Sequence, residues 1–464
     1  MAWLTLFSTA GVLLGTSLAY LVYILYDYRR KINELRQQGV PMPKEWSWVT
    51  GHLLVLQKYI DKIPPSAAVA FAMRDLSQEF ADTEIFLMDV WPVYPALFTL
   101  FGPETITEVC NKHNLPKTTV ADSCFSTGAM LNNVPHVVDS ALVFREKLVE
   151  NIGKGMFSLD ELTTNLAMEV ILKVTLKPKE IKSVTSLALE AYLEERQTKE
   201  GAPSKDVLDE RFVTYATSQI RLFLFAGTDT SSSMMVYIYH MLAKNPDWLR
   251  QLRNEHDEIF GRDPAEAASL LKETPSLLNS CKLTLAFIKE TLRLYAPAGT
   301  MRAGIPGMTV TDLQGIEQPI QYAGVNVLHQ ALHINPRVWT RPTEFLPERF
   351  LVAPGHELYP DPTAFRPFEQ GPRNCIGQTL VWNELRIVII LTCRDLEIRD
   401  AYDDFDAMKE HQMSAWGRWK TSLFGQPIKT VHGDRAYQTD SGGLHPVDGY
   451  PCYVKWTSDD SFVS

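Results

Sequence analysis

The chain lacks paired cysteines: six of them, Cys110, Cys124, Cys281, Cys375, Cys393 and Cys452, are scattered through 464 residues with no CxxC spacing. That pattern excludes a disulfide framework and a zinc ribbon, and it fits a reducing compartment. A basic stripe is also missing. With 45 Lys and Arg against 55 Asp and Glu, and a net charge of −10, no nucleic acid is expected among the partners. There are no internal repeats. Beyond residue 26 no long uncharged apolar run recurs, which limits the membrane-entering part to one segment.

What is present begins at that segment. Residues 2–26, AWLTLFSTAGVLLGTSLAYLVYILY, carry no charge; a spanning helix needs about 20 apolar residues, and the run is too long for the apolar region of a signal peptide. Arg29, Arg30 and Lys31 follow, and by the positive-inside bias the rest of the chain stays cytosolic. The expectation is a transmembrane anchor over 1–26 in contact with membrane lipid, a linker over 27–45 stiffened by Pro41 and Pro43, and a soluble body over 46–464. A hydrophobic content of 45% allows that body a large core.

Along the body, residues 84–100 read as strands broken at Trp91-Pro92, and a helix starts after Pro103. Ser158 and Glu161 form a capping box ahead of a helix. Residues 177–210 are charged with little apolar periodicity and read as surface. Residues 212–242 predict a long, mostly apolar helix, and 283–295 another, stopped by Pro297. Short strands run to Val327, a proline-rich loop spans 336–372, a helix runs from Gly377 to Leu391, and a turn-rich tail closes the chain. The class is mainly α with small β-sheets.

One stretch carries chemistry. In FRPFEQGPRNCIGQTL, residues 365–380, Cys375 stands in a frame of Phe368, Gly371, Arg373 and Gly377 where a turn gives way to an apolar helix. A lone cysteine at a helix start is ordinarily a buried thiol. Here glycines let the backbone approach a flat group, and helix-start amides favour a negative sulfur. Thiolate is a strong donor to heme iron and favours cleavage of the O–O bond. The stretch resembles the heme-binding loop of the cytochrome P450 family, Phe-x-x-Gly-x-Arg-x-Cys-x-Gly, at every fixed position. The resemblance implies a heme-thiolate fold with heme b as cofactor, Cys375 as axial metal ligand, Arg373 on a propionate, Phe368 over the sulfur and Gly377 beside the ring.

Three further stretches are similar to the same family. LFLFAGTDTSSSMM, residues 222–235, places Gly, Thr, Asp and Ser inside an apolar helix, each costing up to about 1 kcal/mol there. It resembles the oxygen-activation segment, which implies that Gly227 leaves room for dioxygen, Thr230 offers a hydroxyl to bound oxygen, and Asp229 relays protons. ETLRLYAP holds Glu290 and Arg293, and PERF holds Arg349; by resemblance these form a buried structural triad. PAGTMRAG holds Arg302, which by resemblance meets a propionate, with a solvated loop arginine as the alternative reading.

The resemblance covers the carboxyl-terminal half from about Arg211, and the anchor, linker and first strands match the microsomal kind. The middle departs from it. No tryptophan occurs between Trp91 and Trp248, so the family's Trp-x-x-x-Arg helix is missing. Arg145 does not sit in such a helix. The interval from Leu176 to Arg211 is too short for the usual two-helix roof over the substrate. These departures read as excisions from a longer ancestor, through a translation that skipped exons, with a compact variant or a degenerate relative as the alternatives; weak heme binding and poor turnover of this chain are expected. The family implies a monooxygenase at the endoplasmic reticulum membrane, its partners an NADPH-cytochrome reductase, O2 and a small apolar substrate. General likeness to fungal members suggests a tailoring step in secondary metabolism. Two rivals are a heme-thiolate isomerase or dehydratase that needs no reductase, and a heme- or ligand-binding membrane protein without turnover.

Overall fold

The uncharged amino-terminal run does become helical. In the computed structural model, helix α1 (Ala2–Gln37) continues without a break through the basic residues and most of the segment read as linker. The structure describes residues 2–115, 133–176, 208–414 and 428–459, the backbone alone over 2–11, and a few isolated positions besides. Both central departures in the sequence, at 116–132 and within 177–207, lie outside the described residues.

The chain divides into two compact units, one of Met1–Asp61, Ala72–Thr118 and Thr300–Leu328, the other of Lys62–Phe71, Thr119–Gly299 and His329–Ser464. In the first, α1 precedes a four-stranded sheet of order β1–β2–β7–β4: β1 (Ile85–Met88), β2 (Leu97–Leu100), β4 (Thr300–Ala303) and β7 (Gly324–Val327). Only the β2–β7 pair of this sheet is parallel, and β5 (Thr309–Thr311) pairs antiparallel with β6 (Glu317–Pro319). The strands expected on either side of Trp91-Pro92 are present and pair as an antiparallel hairpin, and the helix after it, Pro103–Thr107, starts at the expected proline.

The expected transmembrane anchor is not supported. Among the described residues no helix is long and apolar enough to cross a membrane. From Val12 onward, Gly15, Thr16, Ser17, Tyr20, Tyr23 and Tyr26 dilute the apolar content before Asp27, and Thr16 turns its hydroxyl back to the Val12 carbonyl at 2.9 Å. The basic flank is not a uniform surface patch either. Arg29 is fully buried in an ion pair with Asp89 and donates to the Trp91 carbonyl at 2.9 Å. Arg30 and Lys31 are partly exposed and are paired with Asp27 and Glu34 on the same helix. Arg29 therefore serves the fold, since a buried charge must be paired.

The second unit is helical. Its principal helices are α2 (Val134–Glu150), α3 (Leu159–Leu176), α4 (Glu210–Lys244), α5 (Lys282–Leu294) and α6 (Gln378–Thr392). A three-stranded sheet, β3 (Phe157–Ser158), β9 (Pro451–Trp456) and β8 (Leu396–Asp400), completes it. Ser158 accepts a bond from the Glu161 amide at 3.3 Å, half of the predicted capping box. Asp209 caps α4 by accepting from the Phe212 amide at 2.7 Å. The apolar periodicity of α4 is real in its carboxyl-terminal part, where every residue from Ser231 to Leu242 is buried.

The predicted charge triad forms in the second unit. Arg293 donates to both Glu290 oxygens at 2.8 Å, and Arg349 Nε reaches Glu290 Oε1 at 3.2 Å, all three side chains being at most 1% exposed. Arg293 also donates to the carbonyls of His333, Pro342 and Glu344. Trp339 lies under both guanidinium groups, 5.0 Å and 6.0 Å from its ring centroid. The proline-rich loop is thus fastened to α5 through its own carbonyls. Arg145, by contrast, is spent on an ion pair with Asp395.

Candidate active site

The loop 365–377 has no strand or helix hydrogen bonding, so its shape is set by turns. The Asn374 amide donates to Gly371 at 3.2 Å and the Cys375 amide to Phe368 at 2.8 Å. Gly371 takes φ +87°, a region open to glycine at little cost. Glu369 takes φ +58° without being glycine. Burial works against its charge, but His329 and Arg366 outweigh that and hold the carboxyl down at about 2. Its ionised carboxylate is what pins this turn.

Cys375 sits at the mouth of α6, with Gly377 as the residue just before the first helical position. A side chain at Gly377 would begin 3.8 Å from the Cys375 sulfur, an ordinary contact distance, which places Gly377 directly beside the sulfur. The remaining described cysteines differ in kind. Cys375 is exposed, while Cys110, Cys281, Cys393 and Cys452 are buried. Burial pushes the thiols of Cys281 and Cys393 up to about 12 and that of Cys452 well above its ordinary value. Cys124 lies outside the described residues. Phe368 packs edge-on against Trp382 of α6, ring centroids 4.9 Å apart, which fixes the carbonyl that receives the Cys375 amide. Arg373 is partly buried, and its Nε has no hydrogen-bond partner among the described residues.

On α4, the turn similar to the family's oxygen-activation segment has a different local logic at each residue. Gly227 faces α3: a Cβ there would lie 2.7 Å from Ile171 Cγ1 and Cδ1. The room left by its missing side chain on this flank is taken by Ile171, which gives Gly227 a helix-packing role. Gly227→Ala is therefore expected to cost about 1–3 kcal/mol through overpacking. Combining it with Ile171→Ala should recover part of that loss in a double-mutant cycle of thermal unfolding; additive losses would contradict the contact.

Thr230 Oγ1 donates to the Ala226 carbonyl one turn back at 2.8 Å, leaving its oxygen able to accept. Asp229 turns elsewhere. Its Oδ1 is 3.1 Å from His445 Nε2, and the backbone of Gly442 and Gly443 is close enough that a Cβ at either would meet Asp229 atoms at 2.5 Å and 2.8 Å. No hydrogen bond joins the Asp229 and Thr230 side chains among the described residues. Glu384 of α6 is buried, and burial pushes its carboxyl up to about 8 despite a bond from Ser231 of α4. This protonated contact ties the Cys375 helix to the Thr230 helix. The sequence reading missed Glu384, Asp160 and His445. The signal for the last was the stretch GGLHP in the tail, whose two glycines permit close approach to α4.

Arg302 belongs to the first unit, on β4 paired with β7. It is not a solvated loop residue: it is fully buried, and its Nη2 lies 3.8 Å from the Cys110 sulfur. Its Nε and Nη1 are buried without hydrogen-bond partners among the described residues. A buried guanidinium with unused donors calls for an anion.

These residues fit a heme. Within the second unit, an exposed thiol at a helix start and the unfilled Arg373 Nε suit an iron and a propionate. The comparisons agree. The family model described as cytochrome P450 matches residues 128–417. The cytochrome P450 monooxygenase polC of Polytolypa hystricis is 30% identical over an alignment covering 96% of this chain and 94% of that protein. The cytochrome P450 monooxygenase acrF of Aspergillus aculeatus is 32% identical, covering 60% of this chain and 56% of that protein. The first alignment is 542 residues long although this chain has 464, so that relative carries stretches with no counterpart here. Among solved structures, the heme domain of cytochrome P450DA is similar with a TM-score of 0.60 at 17% identity, covering 90% of this chain and 97% of that one, a likeness of fold.

Proposed function

This chain belongs to the cytochrome P450 family, and from that premise we propose that it is a heme-thiolate monooxygenase acting on a small apolar molecule in fungal secondary metabolism. The observation that carries the reading is Cys375, exposed at a helix start within the full frame while the other described cysteines are buried. Heme b bound there supplies dioxygen binding and O–O cleavage under thiolate ligation. Cys375 Sγ would hold the heme iron, with Gly377 beside it. Arg373 would donate to a propionate, and the buried donors of Arg302 would take an anionic group. Thr230 holds a proton at Oγ1 for the oxygen-binding face, and Asp229 resupplies it from water.

Electrons come from NADPH through a separate reductase, and the protein works at the cytosolic face of the endoplasmic reticulum membrane. The apolar side chains exposed along α1, among them Leu13, Leu14 and Leu18, support lipid contact there; alkaline carbonate extraction of microsomes tests it, and full release into the wash would reject it. For the reaction, the purified protein is combined with NADPH, reductase and an apolar metabolite extract under 18O2. A product carrying one labelled oxygen is expected. A product formed without reductase would favour the isomerase class.

Thr230→Ala is expected to uncouple turnover. NADPH consumption should continue within a few-fold, while most of it ends in hydrogen peroxide in place of oxygenated product. General acid–base groups contribute typically 10²–10⁴-fold, so product yield per NADPH should fall by at least tenfold; an unchanged yield would remove Thr230 from the proton path.

A further inference from the structure

The tail segment 441–446 is folded over Asp229, and its histidine lies between two carboxylates. His445 Nδ1 is 2.6 Å from Asp160 Oδ1 on the first turn of α3, and its Nε2 is 3.1 Å from Asp229 Oδ1 on α4. The three side chains are only 12%, 20% and 22% exposed. A neutral imidazole has one N–H and can donate to one carboxylate; only the imidazolium donates to both. The geometry therefore selects the charged ring.

The loop that presents the ring is built for this place. The Thr439 amide and hydroxyl donate to the His445 carbonyl at 2.9 Å and 3.0 Å, and Ser233 of α4 donates to the Leu444 carbonyl at 3.1 Å. Leu444 is held at φ +53° although it is not glycine, and Gly442 at φ +61° lies against the Asp229 carboxylate. Such unusual backbone persists only where surrounding contacts over-determine it.

We propose that His445 is a positioning residue for Asp229: held charged by Asp160, it fixes the carboxylate of the oxygen-activation turn and couples that turn to the carboxyl-terminal tail. The inference rests on the reading of Asp229 as the proton-handling partner of Thr230. The charged groups facing the ring from the packed helices are Asp160 of α3 and Asp229 of α4. Burial acts to lower the imidazole, but the bonds and charges of Asp160 and Asp229 outweigh it and raise it above its ordinary value. A raised group holds its contacts fully below the ordinary imidazole range and loses them as pH climbs through the raised value. Asp229 is thus pinned below the ordinary imidazole range and released as pH climbs through the raised value, where its carboxylate can turn and proton delivery loses its fixed geometry.

The test is the ring titration of His445 in 15N-histidine-labelled holoenzyme, the signal assigned by its loss in His445→Gln. The expected midpoint lies above that of an ordinary histidine, and Asp160→Asn or Asp229→Asn should each lower it by about one pH unit. In parallel, peroxide released per NADPH should rise several-fold above the wild-type midpoint. Asp160→Asn should move that rise to lower pH by the same amount, whereas a merely structural role would change yield without moving the midpoint. Asp160→Asn carries the test if His445→Gln does not fold. A ring midpoint unmoved by both aspartate variants, or a leak profile that ignores Asp160→Asn, overturns the proposal. A wild-type chain that consumes no NADPH with reductase fails the monooxygenase reading separately, and the ring titration still decides the clamp.

Discussion

Cys375→Ala is expected to abolish thiolate ligation of the heme completely, while Cys110→Ala and Cys281→Ala retain it. The reason is position. Cys375 is exposed at the start of α6, whereas Cys110 and Cys281 are buried, the latter with its thiol pushed up to about 12. Because Cys375 is exposed, its truncation should change the stability of the polypeptide itself by no more than about 0.5 kcal/mol. Far-ultraviolet dichroism should therefore match wild type while the spectrum of the thiolate-ligated iron disappears and oxygenation falls to background. A thiolate spectrum surviving in Cys375→Ala, or lost in Cys281→Ala with the helix content intact, would move the ligand elsewhere.

Glu290→Ala should be the most damaging change outside the heme loop. It strips the shared carboxylate from Arg293 and Arg349, both at most 1% exposed. Burial already draws the Arg349 guanidinium below its ordinary value, and Glu290 opposes that pull. Removing one partner of a buried charge cluster costs about 3–5 kcal/mol, a large part of the stability of an ordinary domain. Denaturant unfolding should show that loss, together with reduced heme content, since Arg293 and Arg349 hold the loop carbonyls of His333 and residues 340–344. Glu344→Gln, at an exposed pair with Arg341, should change stability by less than about 1 kcal/mol. Equal effects of the two substitutions would contradict the account of the triad.

Much of this was legible in the sequence because it rests on short-range chemistry. The frame around Cys375, the capping serine at 158, the strands on either side of Trp91-Pro92 and the proline stop after α5 depend on neighbours within a few residues, and the structure bears out their secondary structure. The Glu290 triad was legible only through family likeness, because Arg349 lies 59 residues away in the chain. The roles of Gly227 and Asp229 were harder to see. What surrounds Gly227 is Ile171 of another helix, and what binds Asp229 is His445, 216 residues later. Apolar periodicity cannot place such partners. Arg29 misled for a related reason: a basic residue after an apolar run reads as a membrane flank until Asp89 is found beside it. The missing Trp-x-x-x-Arg helix and shortened roof fall outside the described residues, and the 542-residue alignment to a longer relative bears on them from the sequence side.

The most direct test of the central claim is a carbon monoxide difference spectrum of the reduced protein, expressed as this chain with heme supplied. It reports heme, thiolate ligation and a folded Cys375 loop together. The account predicts a thiolate-type spectrum that vanishes in Cys375→Ala. A carbon monoxide adduct of a neutral ligand in the wild-type chain, or no adduct from protein that is folded and monodisperse, would contradict it.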